Sequence, residues 1–244
     1  MLVLQEKKDI IAGLKKELIA LQGLHSTIHN NEVNKVLGQI KSAFPDQSFP
    51  TACIHEFVSD SADTSATTGF LGILLSALMN KKGVSLWITS NHSIFPPALQ
   101  SLGIAPDKII FIFLQNEKQI AWAMEEALKC HGLAGVIGEM KELNFTTSRR
   151  LQLAVEKSHV TGFILRTNPG QLNANACVSR WKIKSLPSEL PEKMPGVGFP
   201  RWEVGLLKIR NGSPGKWHVE FRGGRLRYFE MPISIALPEQ KKVV

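Results

Sequence analysis

Between Thr51 and Thr167 short apolar runs alternate with longer segments of helical period, and this alternation constrains the fold more than any other feature of the chain. ACIHEF, VSLWIT, KIIFIFL, LAGVIGEM and TGFILRT are apolar nearly throughout, so a strand made from any of them needs cover on both faces. Residues 67–81, PPALQSLG, EKQIAWAMEEALKC and TTSRRLQLAVEKSH separate them and read as helices. Strands buried on both sides and joined by helices form a parallel sheet, so the pattern predicts a doubly wound α/β core. Ligands of such sheets gather beyond the carboxyl ends of the strands. That puts loops 58–68, 89–95, 114–118, 139–147 and 166–175 first among candidate sites.

The flanks read differently. Ile10, Leu14, Leu18, Leu21 and Ile28 fall on one face of an amphipathic N-terminal helix over residues 5–28, and NNEVNKVLGQIKSAF predicts a second helix from Asn31 to Ala43, ended by Pro45. After ACVSRWKIKSL comes the proline-rich PSELPEKMPGVGFP. WEVGLLKIRNGSPGKWHVEFRGGRLRYFEM then alternates around two turn signals, NGSPG and RGG, which predicts a meander of two or three antiparallel strands, with PEQKKVV as a frayed end. Three segments follow: 1–48 helical, 49–186 the α/β core, and 187–244 the basic meander and tail.

Charge is unevenly placed along the chain. Residues 180–244 hold 13 Lys/Arg against 6 Asp/Glu, whereas residues 1–179 hold 16 against 15. A basic segment that also carries Trp181, Trp202, Trp217 and Tyr228 offers nucleic acid both phosphate contacts and stacking surfaces. The alternative is a solvated face with half-buried tryptophans. No run of about 18 apolar residues spans a bilayer, and the N-terminus lacks the pattern of a secretory signal, so the cytoplasm is expected. Cys53, Cys130 and Cys177 form no CxxC pair and are read as reduced thiols.

The stretch FVSDSADTSATTGFLGILLSAL sits where an α/β protein places a phosphate loop. Such a loop needs glycines to wrap backbone N–H groups around phosphate, a lysine to neutralise it, and a hydroxyl for magnesium. From Ser59 to Thr68 there is neither glycine nor lysine, while Asp60 and Asp63 bring repulsive charge. Thr67 and Thr68 keep a hydroxyl available or serve as a helix cap. Glu139 ends an apolar strand, where a carboxylate reaches a metal or water or is simply solvated. Glu56 is either an in-sheet polar residue or an activator. Arg149 and Arg150 at a helix start and Arg166 at a strand end are candidate phosphate contacts, or partners of core carboxylates. His25 and His29 stand at i, i+4 without the acidic residue of a hydrolase motif, and no nucleophile elbow occurs. No metal site and no catalytic residues are assigned.

This order of elements resembles the RecA superfamily, and more closely the ImuA family, in ACIHEFVSDSADTSATTGFLGILLSAL, GVSLWITSNHSIFPPALQSLGIAPDKIIFIF, EKQIAWAMEEALKCHGLAGVIGEM and above all TTSRRLQLAVEKSHVTGFILR. GFPRWEVGLLKIRNGSPGKWHVEFRGGRLRY resembles that family's basic C-terminal meander. The resemblance covers most of residues 50–230, with RRLQLAVEKS and RNGSPGKW its more specific parts. It implies a RecA-like core, a damage-induced role in translesion synthesis, and partners of three kinds: an ImuB-like Y-family polymerase homologue, an error-prone α-type polymerase, and RecA. It maps a degenerate nucleotide loop onto Ser59, Asp60, Asp63, Thr67 and Thr68, with Glu139 at the Walker B-like position. No cofactor is expected.

The resemblance also sets DNA-facing residues at Arg166 and along the loop to Arg180. The basic segment adds Lys182, Lys184, Arg210, Lys216, Arg222, Arg225 and Arg227 as DNA-binding candidates. The expectation is a non-enzymatic, nucleoid-associated accessory protein, with homo-oligomerisation through the N-terminal helix left open. Two alternatives stand beside it: an ATPase with an atypical loop, and a division inhibitor like SulA that acts by protein binding alone.

Overall fold

The computed structural model describes Gly13 and residues 30–80, 83–92, 94–190 and 196–230. The expected N-terminal helix, the His25/His29 pair and the frayed tail lie outside these residues. The described chain forms one nine-stranded sheet in the order β3-β2-β4-β5-β1-β6-β7-β8-β9. Its parallel half comprises β1 (Ile54–Ser59), β2 (Val84–Thr89), β3 (Ile109–Phe113), β4 (Leu133–Glu139), β5 (Thr161–Thr167) and β6 (Ser179–Leu186). β7 (Arg201–Ile209), β8 (Gly215–Arg222) and β9 (Arg225–Tyr228) continue the same sheet antiparallel. This is an α/β, RecA-like, mainly parallel architecture ending in a β-meander.

Two hydrophobic layers sandwich the sheet. Phe57, Phe163, Trp181, Trp202 and Val204 face α1 (Asn31–Leu37) and α2 (Thr64–Met79), whose Leu37, Phe70 and Leu74 are fully buried. Ile54, Val136 and Ile164 face the other way, toward Met124 of α3 (Glu117–Leu128) and Leu151 of α4 (Phe145–Ser158). The expected helix 31–43 is broken: α1 stops at Leu37 and a 3-10 turn, Gly38–Ala43, takes over. Gly38 adopts φ 49°, and the Tyr228 ring lies 3.0 Å from where a Cβ would stand, so only glycine fits the kink. PPALQSLG is also a 3-10 turn, Pro96–Leu102, not an α-helix. RGG closes the β8–β9 hairpin with Gly223 at φ 61° and Gly224 at φ 72°, the paired positive angles of a two-residue hairpin turn.

α2 corrects one reading of composition. Together with the turn before it, Ser61–Met79 has the length and hydropathy to cross a membrane. Its apolar side chains are instead spent on the core, with Phe70, Leu71, Leu74 and Leu75 fully buried.

At the heart of the α1/α2 layer lies a polar side chain. His55 is stacked between Phe49 (centroids 4.5 Å apart) and Phe163 (5.6 Å), and both ring nitrogens are satisfied. Nε2 lies 2.8 Å from the Pro50 carbonyl, and Nδ1 lies 2.6 Å from Ser179 Oγ, which also accepts from Trp181 Nε1 at 2.7 Å. The pattern assigns a neutral imidazole with its proton on Nε2. Burial lowers its pKa to about 4, against a smaller opposite effect of the Pro50 bond. The folded state therefore holds His55 neutral, while the unfolded chain binds a proton near pH 6.5. The stability it permits is complete above pH 6.5 and drains away as the pH falls toward 4, by about 3 kcal/mol. Urea unfolding across that range should show wild type losing this much more than His55→Gln. Parallel curves would contradict the assignment.

Candidate nucleic-acid interface

The connection from β5 to β6 makes the C-terminal half possible. β6 lies parallel to β1 on the side opposite β5, so residues 168–178 must cross over β1. Such crossovers are usually helical because a helix satisfies its own backbone. Here the segment has no regular structure, and side chains take over that task. Glu56, fully buried on β1, accepts from Arg166 Nη1 at 2.7 Å through Oε1. Its Oε2 accepts from Arg180 Nε at 2.6 Å and Asn175 Nδ2 at 2.8 Å. Arg166 also donates to the carbonyls of Lys141 and Gln171, and Arg180 to that of Asn173. Lys208 donates to the Asn175 carbonyl and Arg210 to that of Ala176.

This geometry corrects the reading of three candidate DNA contacts. Arg166 is 1% exposed, the Arg180 side chain 12%, and Arg210 is half-buried, with one donor of each on a crossover carbonyl. Arg166 is closed to solvent, and Arg180 and Arg210 each spend a donor on the fold. The ambiguity at Glu56 is also resolved, since it is the in-sheet carboxylate around which the arginines gather.

The first loop is short and closed. Asp60 alone separates β1 from a 3-10 turn, Ser61–Asp63, and α2 begins at Thr64, three residues before the expected start at 67. Thr64 and Thr67 return their hydroxyls to the carbonyls of Asp60 and Asp63, a bond that suits a helix interior. Thr67 is therefore buried a turn inside α2, with Thr68 half-buried beside it. The backbone N–H of Ser61 donates to Asn168 Oδ1 at 2.8 Å, and the Asn168 amide returns to Ser61 Oγ. Buried Ser59 donates to the Asp60 carbonyl. Asp63 accepts from the Ser185 N–H at 2.8 Å, and Asp60 pairs with Lys182 at 2.9 Å. Ser59, Asp60, Ser61, Asp63, Thr64 and Thr67 thus already have partners within the chain. Glu139 stands at the end of β4 as expected, but Trp87 Nε1 (2.6 Å) and Thr89 Oγ1 (2.9 Å) donate to its carboxylate. Burial raises its pKa, opposed by those bonds and one from Asn91.

The remaining basic residues converge on one plane. Along β6–β9 alternate side chains turn inward, Trp202, Val204, Val219 and Tyr228 among them, and their neighbours turn outward. The register sets Lys184 beside Glu203 and His218, Lys182 and Lys216 on either side of Gly205, Arg201 beside Glu220 and Arg227, and Arg222 beside Arg225. Glu203 takes Lys216 at 3.3 Å and Lys184 at 3.6 Å. Burial pushes its carboxyl up, but the Lys216, Lys184 and His218 contacts outweigh this and bring it below its ordinary value.

Glu220 takes Arg201 at 2.8 Å. Arg222, Arg225 and Arg227 are exposed and have no ion pair among the described residues. Two aromatic rings missed by the sequence reading, Phe199 and Phe229, lie under Arg222 and Arg201 at 4.5 Å. Phe229 follows the period-two alternation of KWHVEFRGGRLRYF, whereas Phe199 stands before β7 in the proline-rich segment without a local signal. Trp181 and Trp202 are core residues, so only Trp217 and Tyr228 of the expected stacking groups reach a cleft, shared with Lys216, His218 and Phe229. Arg149 and Arg150 sit on α4, over the parallel half, apart from this plane.

The chain is 31% identical over 194 residues to Protein ImuA of two strains of Caulobacter vibrioides, in a match that takes in 74% of this chain and 80% of that protein. It belongs to the ImuA family. Cell division inhibitor SulA of Edwardsiella piscicida is 28% identical over 134 residues, 53% of this chain and 79% of that protein. No family model matches. Among the described residues no group of three or more metal-ligating side chains is gathered.

Removing Glu56 should leave two buried arginines facing each other across the crossover. Glu56→Gln is expected to cost about 3–5 kcal/mol in urea unfolding, whereas Asp60→Asn, which breaks an exposed pair, should cost under about 1 kcal/mol. Equal small losses would show that the cluster does not hold the crossover.

Proposed function

We propose that this ImuA-family chain is a non-catalytic accessory protein of SOS-linked mutagenic repair, which holds DNA on the outer face of β6–β9 while other surfaces engage partner proteins. The observation that carries this reading is the exposed row Arg222, Arg225 and Arg227, which has no ion pair among the described residues. Cations on a flat strand surface with aromatic rings beneath them suit a single strand, whose phosphates and bases are both accessible. An ImuB-like Y-family homologue, an α-type error-prone polymerase and RecA are the partners this reading assigns, with the cytoplasm and nucleoid as the place of action. The segments 1–48, 49–186 and 187–244 then divide the work into assembly, scaffold and DNA contact.

The closed first loop supports a scaffold over an ATPase, because a phosphate would have to displace the bonds of Ser61 and approach Asp60 and Asp63. On this reading, calorimetry with magnesium and ATP gives a flat trace. The SulA relationship favours a second reading, a protein-binding inhibitor that ignores DNA. Fluorescence anisotropy with a 30-nucleotide oligo(dT) separates the two. The expected affinity falls steeply with salt, and Arg222→Glu/Arg225→Glu/Arg227→Glu should lower the slope of log affinity against log salt by about 2. Lys35→Glu/Lys41→Glu/Lys157→Glu makes the same charge change elsewhere. An equal effect of both triplets, or no binding by wild type, would refute the DNA reading.

A further inference from the structure

α3 and α4 lie side by side over the parallel half of the sheet, and their outward faces are not uniformly polar. Trp122 on α3 is 63% exposed, and Phe145 and Leu153 on α4 are 60% and 46% exposed. Phe145, Arg149 and Leu153 follow one another at i, i+4 and i+8, a stripe of about 12 Å along two turns. Trp122 stands one turn beyond Lys118 on the neighbouring helix. Between the helices runs a cleft of about 260 Å³, lined by Lys118, Trp122, Glu125, Thr147, Arg150 and Leu151. Large apolar side chains grouped on a charged surface mark a contact site when the fold makes no use of them.

The charges around the stripe identify what it contacts. Glu125 is already neutralised by Arg150 at 2.5 Å and Lys129 at 3.5 Å. Glu117 spends its carboxylate on the backbone N–H groups of Lys141 and Glu142. Lys118, Lys141 and Arg149 are exposed and have no carboxylate partner among the described residues. Glu156, one turn beyond Leu153, is the carboxylate without an ion pair among the described residues of this helix, so the rim is net positive and complements an apolar strip rimmed by anions. A second copy supplies that less well, because a two-fold contact would set this net-positive face against itself. Nucleic acid fits less well, since Glu125 in the cleft wall and Glu156 set carboxylates between the rings of Trp122 and Phe145 and any phosphate they would bring.

We propose that the α3/α4 face docks an acidic amphipathic helix of a partner protein, with Trp122, Phe145 and Leu153 receiving its apolar side chains and Lys118, Lys141 and Arg149 its carboxylates. Arg149 and Arg150, read from sequence as candidate DNA contacts, then belong to a protein-binding surface distinct from β6–β9. This is the helix-in-groove mode, in which apolar anchors recur every three or four residues.

The probe is a random 16-residue peptide library displayed on phage. It is selected on the full chain and counter-selected on Trp122→Ala/Leu153→Glu, whose exposed positions leave the core intact, as a thermal melt will verify. The expected winners carry Leu, Phe or Met at i, i+3 or i+4 and i+7, flanked by Asp and Glu. As synthetic peptides they should blue-shift tryptophan emission in wild type but not in Trp122→Phe, and bind Arg149→Glu at least tenfold more weakly. Winners without acidic residues, winners indifferent to Trp122, or no enrichment would overturn the proposal. So would competition by oligo(dT), or a dimer that Leu153→Glu dissolves.

Discussion

A single buried carboxylate sets the conditions for the C-terminal half of this molecule. Glu56 lies in the middle of the sheet, and its two oxygens receive two arginines and an amide brought from positions more than a hundred residues away. An isolated charge in that place would be prohibitively costly, and a lone ion pair would contribute little net stability. The network's value is positional. It anchors a crossover without helical structure, whose carbonyls are met by Arg166, Arg180, Lys208 and Arg210, and thereby lays β6 against β1. Since β7 to β9 are hung from β6, the orientation of the basic face depends on this network.

The sheet thus has two halves with different surroundings. At β1, β4 and β5 both faces are covered by helices, and the loop that would hold a nucleotide is tied to Asn168, Lys182 and Ser185. In the antiparallel half one face joins the core and the other carries cations to solvent. Basic charge from β5 onward also falls into two populations. Arg166, Arg180, Lys208 and Arg210 serve the backbone, while Arg222, Arg225 and Arg227 are exposed and have no ion pair among the described residues. A net-charge count cannot separate these populations, but the register of the strands does.

Much of the architecture was legible because periodicity records burial directly. Five apolar runs became five parallel strands, and the paired glycines of RGG marked a hairpin. The sequence misled where a local signal met a distant partner. Gly38 breaks its helix because Tyr228 packs there, and the polar SADTSATT reads as a turn although its threonines bond back along a helix. Arg166 and Arg180 looked like open cations because Glu56, their partner, sits 110 and 124 residues away. Period-two spacing contained the outward row of β8 and β9, yet nothing local distinguished it from a face that another element would cover.

The central claim is that the working surface lies on the outer face of β6–β9 and not at the carboxyl ends of the parallel strands. Hydrogen–deuterium exchange on the full chain, with and without a saturating oligo(dT), addresses it most directly. The account predicts new protection in residues 216–228 and none in residues 59–68, with or without magnesium and ATP. Protection centred on residues 59–68, with 216–228 unchanged, would contradict it.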